Sequence, residues 1–296
     1  MKNKFPIYIV SKGRYEIRLT SESLSRMKVD HYIVVEEQEY ELYRKHTKGN
    51  PYVTILILDK TFQDNYQTLD DLGSTKSKGP GPARNFVWDH SIKNGFAWHW
   101  VMDDNIQSFY RWNRNKQIRV ETGAIFAAME DFCMRYENVV MAGPNYFMFA
   151  CSKQKTPPFI ANTRIYSCNL IRNDIPFRWR GRYNEDTILS LDILTAGLCT
   201  VQFYAFLQEK LRTQVLKGGN TGEFYAKEGT YPKSKMLVDV YPQYAKIVYK
   251  FKRVHHHVDY TPFKRNKFIK KPIEIPTGIN NYGMEIKNIT TLDKKS

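Results

Sequence analysis

The sequence predicts an α/β fold, a mostly parallel central sheet flanked by helices, and three observations carry the prediction. Short β-branched runs alternate with amphipathic stretches through the first half of the chain. A later apolar run breaks off abruptly in Asp103-Asp104-Asn105. The 296 residues are 42% hydrophobic and 14% aromatic, enough for a sizeable core and too rich in core-forming side chains for a disordered chain.

Taken in order, residues 7–10, 31–35 and 52–58 read as buried strands, and 20–27 and 38–46 as helices between them, a βαβαβ pattern. After a connection rich in Gly, Ser and Lys, residues 83–93 read as a helix and 98–102 as the next strand. Open parallel sheets bind ligands beyond the carboxyl ends of their strands. The acidic turn and the Ser11, Gly13, Arg14 segment therefore fall on one functional edge. Beyond it come a helix over 122–136, strands over 139–142 and 166–171, and a helix over 184–195 whose first-turn acids favour the helix dipole. The Lys- and Pro-containing segment after Pro262 reads as extended or partly ordered.

The formal net charge is +15, and residues 241–296 hold 12 Lys or Arg against 4 Asp or Glu, a surplus of 8 positive charges. Such a balance suits a polyanion partner, although a Lys-rich solvated surface has the same composition. No apolar stretch approaches the roughly 20 residues of a membrane-spanning helix, and the first residues lack a signal-peptide core, so a cytoplasmic location is expected. Cys133, Cys151, Cys168 and Cys199 are widely spaced and read as buried free thiols.

Three constellations can carry chemistry. Asp103, Asp104 and Asn105 offer oxygen ligands to Mg²⁺ or Mn²⁺ at a strand end, where a metal would neutralise a diphosphate. Residues 78–85, Lys-Gly-Pro-Gly-Pro-Ala-Arg-Asn, form a turn into a helix; Gly81 permits close approach of a ligand and Arg84 can brace a diphosphate. In Arg182-Tyr183-Asn184-Glu185-Asp186-Thr187, a carboxylate at a helix start can serve as general base toward an acceptor hydroxyl. Each has a plain structural alternative: a solvated turn, a connecting loop, or acids that serve only the helix dipole.

The order of these motifs resembles the GT-A glycosyltransferases. The acidic turn, the Arg182–Asp186 run, Lys217-Gly218-Gly219-Asn220-Thr221 and His256-His257-Val258-Asp259-Tyr260 together are similar to the TET-associated glycosyltransferases of phages, over about residues 7–263. The resemblance implies a Rossmann-like, nucleotide-sugar-binding half over about 1–110, an acceptor half over 111–263 and a basic tail over 264–296. It implies a UDP-sugar donor and, as acceptor, the hydroxymethyl group of 5-hydroxymethylcytosine or 5-hydroxymethyluracil in DNA, with the host cytoplasm as the setting. By motif, Asp103, Asp104 and Asn105 would hold nucleotide ribose and metal, and Asp186 would be the base with Glu185 beside it. Ser11, Gly13, Arg14, Gly81, Arg84, Asp103 and the 217–220 loop would hold the donor, and His256 or His257 would complete the metal site. Where the family carries a further Asp just before the acidic turn, this sequence has Val101, which leaves open which carboxylate meets a metal.

Two segments interleave rings and cations: Tyr110, Arg111 and Trp112 after the acidic turn, and Arg178, Trp179, Arg180 and Arg182 before the Asn-Glu-Asp helix. Cations for phosphates and rings for an extruded base are what a base-modifying enzyme needs, so both are candidate DNA contacts. A glycan, lipid or protein acceptor, or a non-catalytic DNA-binding role, would leave the same donor half in place.

Overall fold

The βαβαβ pattern becomes the parallel half of a ten-stranded sheet in the computed structural model, which describes residues 3–70, 77–151, 156–211, 231–250, 253–273 and 278–279. The strands are β1 (Ile7–Val10), β2 (His31–Val35), β3 (Val53–Ile57), β4 (Trp98–Asp103), β5 (Ile106–Asn113), β6 (Lys116–Arg119), β7 (Val139–Tyr146), β8 (Phe159–Ala161), β9 (Cys168–Arg172) and β10 (Cys199–Lys210). Their order is β3-β2-β1-β4-β9-β7-β10-β5-β6, with β8 pairing β10. β9, β5 and β8 run against the rest, so the sheet is mixed but mostly of one direction. A separate ribbon pairs β11 (Ala245–Lys250) with β12 (Arg253–Val258).

Helices cover both faces, which is why the central strands are apolar on both sides rather than alternating. Ile7, Ile9, Trp100 and Met102 point to one face and pack with Leu24 of α1 (Leu19–Arg26), Tyr43 of α2 (Tyr40–Thr47) and Phe126 and Met129 of α5 (Ala124–Met134). Tyr8, Val10 and Val101 point to the other and meet Val87 and Trp88 of α4 (Gly81–Lys93) and Leu189 and Ile193 of α6 (Glu185–Thr195). Short α3 (Lys60–Asp64) lies beside α4. A third cluster joins α6, α7 (Tyr231–Val240) and the foot of the ribbon through Leu191, Leu237, Ala245 and Val258.

Several expectations are adjusted. β3 is the sheet edge and half-buried, not buried, because only β2 pairs with it among the described strands. Cys151 is exposed while the other three thiols are buried. After Pro262 the described residues 263–273 pack on the body: Phe263 is buried, Asn266 Nδ2 donates to the Leu194 and Leu198 carbonyls, and Ile269 N donates to Asn138 Oδ1. Among the described residues no helix is long and apolar enough to cross a membrane.

Candidate active site

The carboxyl ends of β1, β2 and β4 open into a cavity of about 860 Å³, within the range of small-ligand and cofactor sites. Its floor is a network of buried charges. Arg84, in the first turn of α4, donates from Nη2 to Asp103 Oδ1 and from Nη1 to Asp186 Oδ1, both at 2.7 Å, and its Nη1 lies 3.3 Å from Glu185 Oε1. The guanidinium sits 4.5 Å from the centre of the Trp179 ring. Cation–π contact and three carboxylates together offset the cost of burying this charge. Lys210 closes the network, donating from Nζ to Asp103 Oδ2 at 2.5 Å and to Ser167 Oγ at 2.8 Å.

Local sequence explains the placement. The register of β10 on β5 shifts between Glu209 and Lys210, and such a bulge re-aims the side chain that follows. Gly181 has φ +91°, and a Cβ there would lie 2.6 Å from Ile188 Cδ1, so only glycine fits that approach. Asn184 takes the left-handed region at φ 56°, which Asn tolerates, and its Nδ2 donates to the Lys233 carbonyl at 2.6 Å, tying α7 to the start of α6. Glu185 and Asp186 then open α6 facing the cavity.

The electrostatics separate the two central carboxylates. Burial works against ionisation of Asp103, but Lys210 and Arg84 outweigh it and hold the group well below the usual carboxylate range. Asp186 is pushed up to about 7 by burial, against the pull of Arg84 and with the help of Glu185 and Asp103. Two acids with opposed shifts in one cavity are the arrangement acid–base chemistry requires. Burial would lower the Lys210 ammonium, yet Asp103 raises it, so it stays charged.

A glycosyltransferase family model, TET-Associated Glycosyltransferase, matches residues 5–219. The chain belongs to the TET-associated glycosyltransferase family. A comparison with curated proteins returns no match. The family match makes the chain a glycosyltransferase enzyme and points to a nucleotide-sugar donor; it ends before the His256 segment.

Within this glycosyltransferase the expected donor residues divide. Ser11, Arg14, Arg84 and Asp103 line the cavity; Gly13 and Gly81 are not among its lining residues. Gly13 N donates to Glu39 Oε1, and a Cβ on Gly81 would fall 1.9 Å from the Tyr66 hydroxyl, so packing against Tyr66 accounts for that glycine. Lys217, Gly218, Gly219 and Asn220 lie outside the described residues.

The expected metal ligands do not form a ligand set. Asp104 pairs with Arg14 through Oδ1 and accepts from Ser11 Oγ through Oδ2, while both Asp103 oxygens are held by Arg84 and Lys210. Asn105 turns Nδ2 to the Leu211 carbonyl, and its Oδ1 is buried without a partner. His256 lines the far wall of the cavity and His257 is exposed. Among the described residues no three His, Cys, Asp or Glu side chains group closely enough to hold a metal ion.

The expected DNA contacts are also redistributed. Tyr110, Arg111 and Trp112 lie on β5, which leaves the acidic turn and runs away from it; six residues at ~3.3 Å each carry Trp112 roughly 20 Å from Ile106. Arg178, Trp179 and Arg180 line a separate cavity of about 530 Å³ behind α4. Trp179 is 1% exposed beneath Arg84, and Arg182, with a fully buried side chain, donates from Nε and Nη2 to Asp70. Trp179 supports the floor beneath Arg84, and Arg182 also lines the active-site cavity. Lys78, the first residue of the Gly/Pro turn, lines the cavity, as do Lys210, Ser167 and Lys233, which no motif marked; the sequence signal for Lys210 is a cation at the end of a long β-rich run.

Proposed function

We propose that this enzyme transfers a sugar from a UDP-sugar to the hydroxymethyl group of 5-hydroxymethylcytosine or 5-hydroxymethyluracil in DNA, with Asp186 as general base. The observation that carries the reading is Arg84, buried between Asp103 and Asp186 on the floor of the cavity at the sheet edge. The family's activity and the net charge of +15 support the donor class and a polyanionic acceptor.

In this reading the nucleotide lies across the ends of β1, β2 and β4, where Val34, Val35 and Leu58 offer an apolar wall. Pro80 and Pro82 remove backbone donors at the start of α4, so the side chains of Lys78, Arg84 and Lys210 meet the diphosphate charge. The acceptor hydroxyl oxygen attacks the anomeric carbon and Asp186 takes its proton. The bond from the anomeric carbon to the diphosphate breaks with its electron pair going to the departing UDP. A base whose pKa is near 7 accepts that proton efficiently at neutral pH.

The test is to incubate the protein with a panel of UDP-sugars, with and without Mn²⁺, and DNA containing each hydroxymethylated base, then digest to nucleosides and weigh them. A pentose- or hexose-sized gain on one nucleoside is the expected result. UDP release with no gain on any DNA would assign the enzyme to a glycan, lipid or protein acceptor.

A further inference from the structure

The β11–β12 ribbon has two faces of different chemistry, and one of them begins in the catalytic cavity. Residues paired across an antiparallel ribbon share a face, and successive pairs alternate. Ala245 pairs with Val258, Ile247 with His256 and Tyr249 with Val254, so these three pairs form one face. At its foot Ala245 and Val258 are buried against α7; at the next pair His256 lines the cavity and Ile247 is 40% exposed; beyond them Tyr249 is 72% exposed. The opposite face carries Lys246 beside His257 and Lys250 beside Arg253, all exposed, with Val248 and His255 between them.

We infer that this ribbon is the acceptor-strand clamp: Tyr249 and Ile247, on the face that opens from the cavity, stack on bases flanking the target, while Lys246, Lys250 and Arg253 on the opposite face attract the polyanion at longer range. The inference rests on the DNA reading above and deepens it by naming the surface that holds the strand. An exposed aromatic ring is a stacking platform for the bases of single-stranded nucleic acid. The charge is complementary to phosphate, and continuity with the site is direct. One step along the face, from His256 to the Tyr249 level, is two residues or roughly 7 Å, the length of two base steps at ~3.4 Å. Of the two segments first expected to contact DNA, β5 runs away from the site and Trp179 and Arg182 are buried, which leaves Arg178, with a side chain 41% exposed, as the competing surface.

The experiment compares wild type with Tyr249→Ala and with the triple variant Lys246→Ala/Lys250→Ala/Arg253→Ala. Each is assayed for sugar transfer to an oligonucleotide bearing one hydroxymethylated base and for hydrolysis of the UDP-sugar without acceptor. Tyr249→Ala is expected to raise the KM for the oligonucleotide roughly tenfold. The triple variant is expected to weaken affinity at low salt and to flatten the slope of log affinity against log salt by about 1, less than three direct phosphate contacts would give. Donor hydrolysis stays within about twofold in both, because none of the four side chains lines the cavity. If wild type modifies DNA and both variants keep its KM and salt slope, the clamp is overturned. If wild type hydrolyses the donor yet modifies no DNA, the DNA reading itself fails and the clamp with it.

Discussion

The cavity floor and the β11–β12 ribbon are built from the same kinds of side chain, cations beside aromatic rings, and burial makes them different devices. On the floor Arg84 stacks on Trp179 and is locked to Asp103 and Asp186 at 2.7 Å. On the ribbon Tyr249 and Lys250 face solvent. A buried charge has a large, geometry-dependent energy, so its loss disturbs fold and chemistry together. Exposed charges are screened and act on affinity alone. The contrast can be attacked from the floor outward.

The largest effect is expected from Arg84→Met. It leaves Asp186 and Glu185 without their buried cation, and breaking a buried pair in this way costs about 3–5 kcal/mol. Urea unfolding should show that loss, and sugar transfer at pH 7 should fall by more than about a thousandfold, because two losses combine: the cation that meets the diphosphate is gone, and the Asp186 carboxyl, freed of Arg84, is pushed further up and less ionised. Retained stability would mean that the floor tolerates its acids in another way.

Next comes Asp186→Asn, with an expected loss of about 10²–10⁴ in kcat. The pH profile separates a base from a spacer. A carboxyl must be ionised to accept a proton, and with its pKa at about 7 the wild-type rate climbs as pH rises toward 7 and levels above it. The Asn variant lacks that titration and should give a flat acid limb. A limb that persists in the variant would place the base elsewhere.

Lys210→Met is expected to cost less, about ten- to a hundredfold in kcat/KM, the worth of charge-assisted hydrogen bonds to donor and to Asp103. Arg84 still holds Asp103 Oδ1, so the fold survives. Donor titration by calorimetry checks it: unchanged donor affinity and turnover would remove Lys210 from the site.

Much of this was legible in the sequence, and the rest failed for identifiable reasons. Asp103, Asp186 and Arg84 each sit at the boundary of a strong local pattern, a strand end or a helix start, and such boundaries fall on the sheet edge where ligands bind. Lys210 was hidden because a bulge, not a motif, turns it toward Asp103. The rings and cations of Tyr110, Arg111 and Trp112 are adjacent to the acidic turn in sequence, but β5 carries them away from it in space, and sequence distance does not show direction. Which of the adjacent acids would meet a metal is not legible from spacing, because the folded partners differ: Asp103 and Asp104 bond to different groups. Composition cannot tell a buried Trp179 from an exposed Tyr249, since rings near cations serve cores and ligands alike.

The smallest expected effect sharpens the contrast within one short segment. Arg178 and Arg182 looked equivalent in the sequence. The Arg178 guanidinium stacks on Trp88 with its side chain 41% exposed, and its nearest acid, Asp89, is 3.7 Å away. Arg182 is buried, donating to Asp70 and to the Ser77 carbonyl. An exposed pair contributes about 0–1 kcal/mol and a buried one several times that when a single partner is removed. Arg178→Ala should therefore shift urea stability by about 1 kcal/mol or less, while Arg182→Met costs about 3 kcal/mol. If DNA affinity then falls more in Arg178→Ala than in Tyr249→Ala, the acceptor strand runs behind α4 rather than along the ribbon; equal affinity with wild type keeps it on the ribbon.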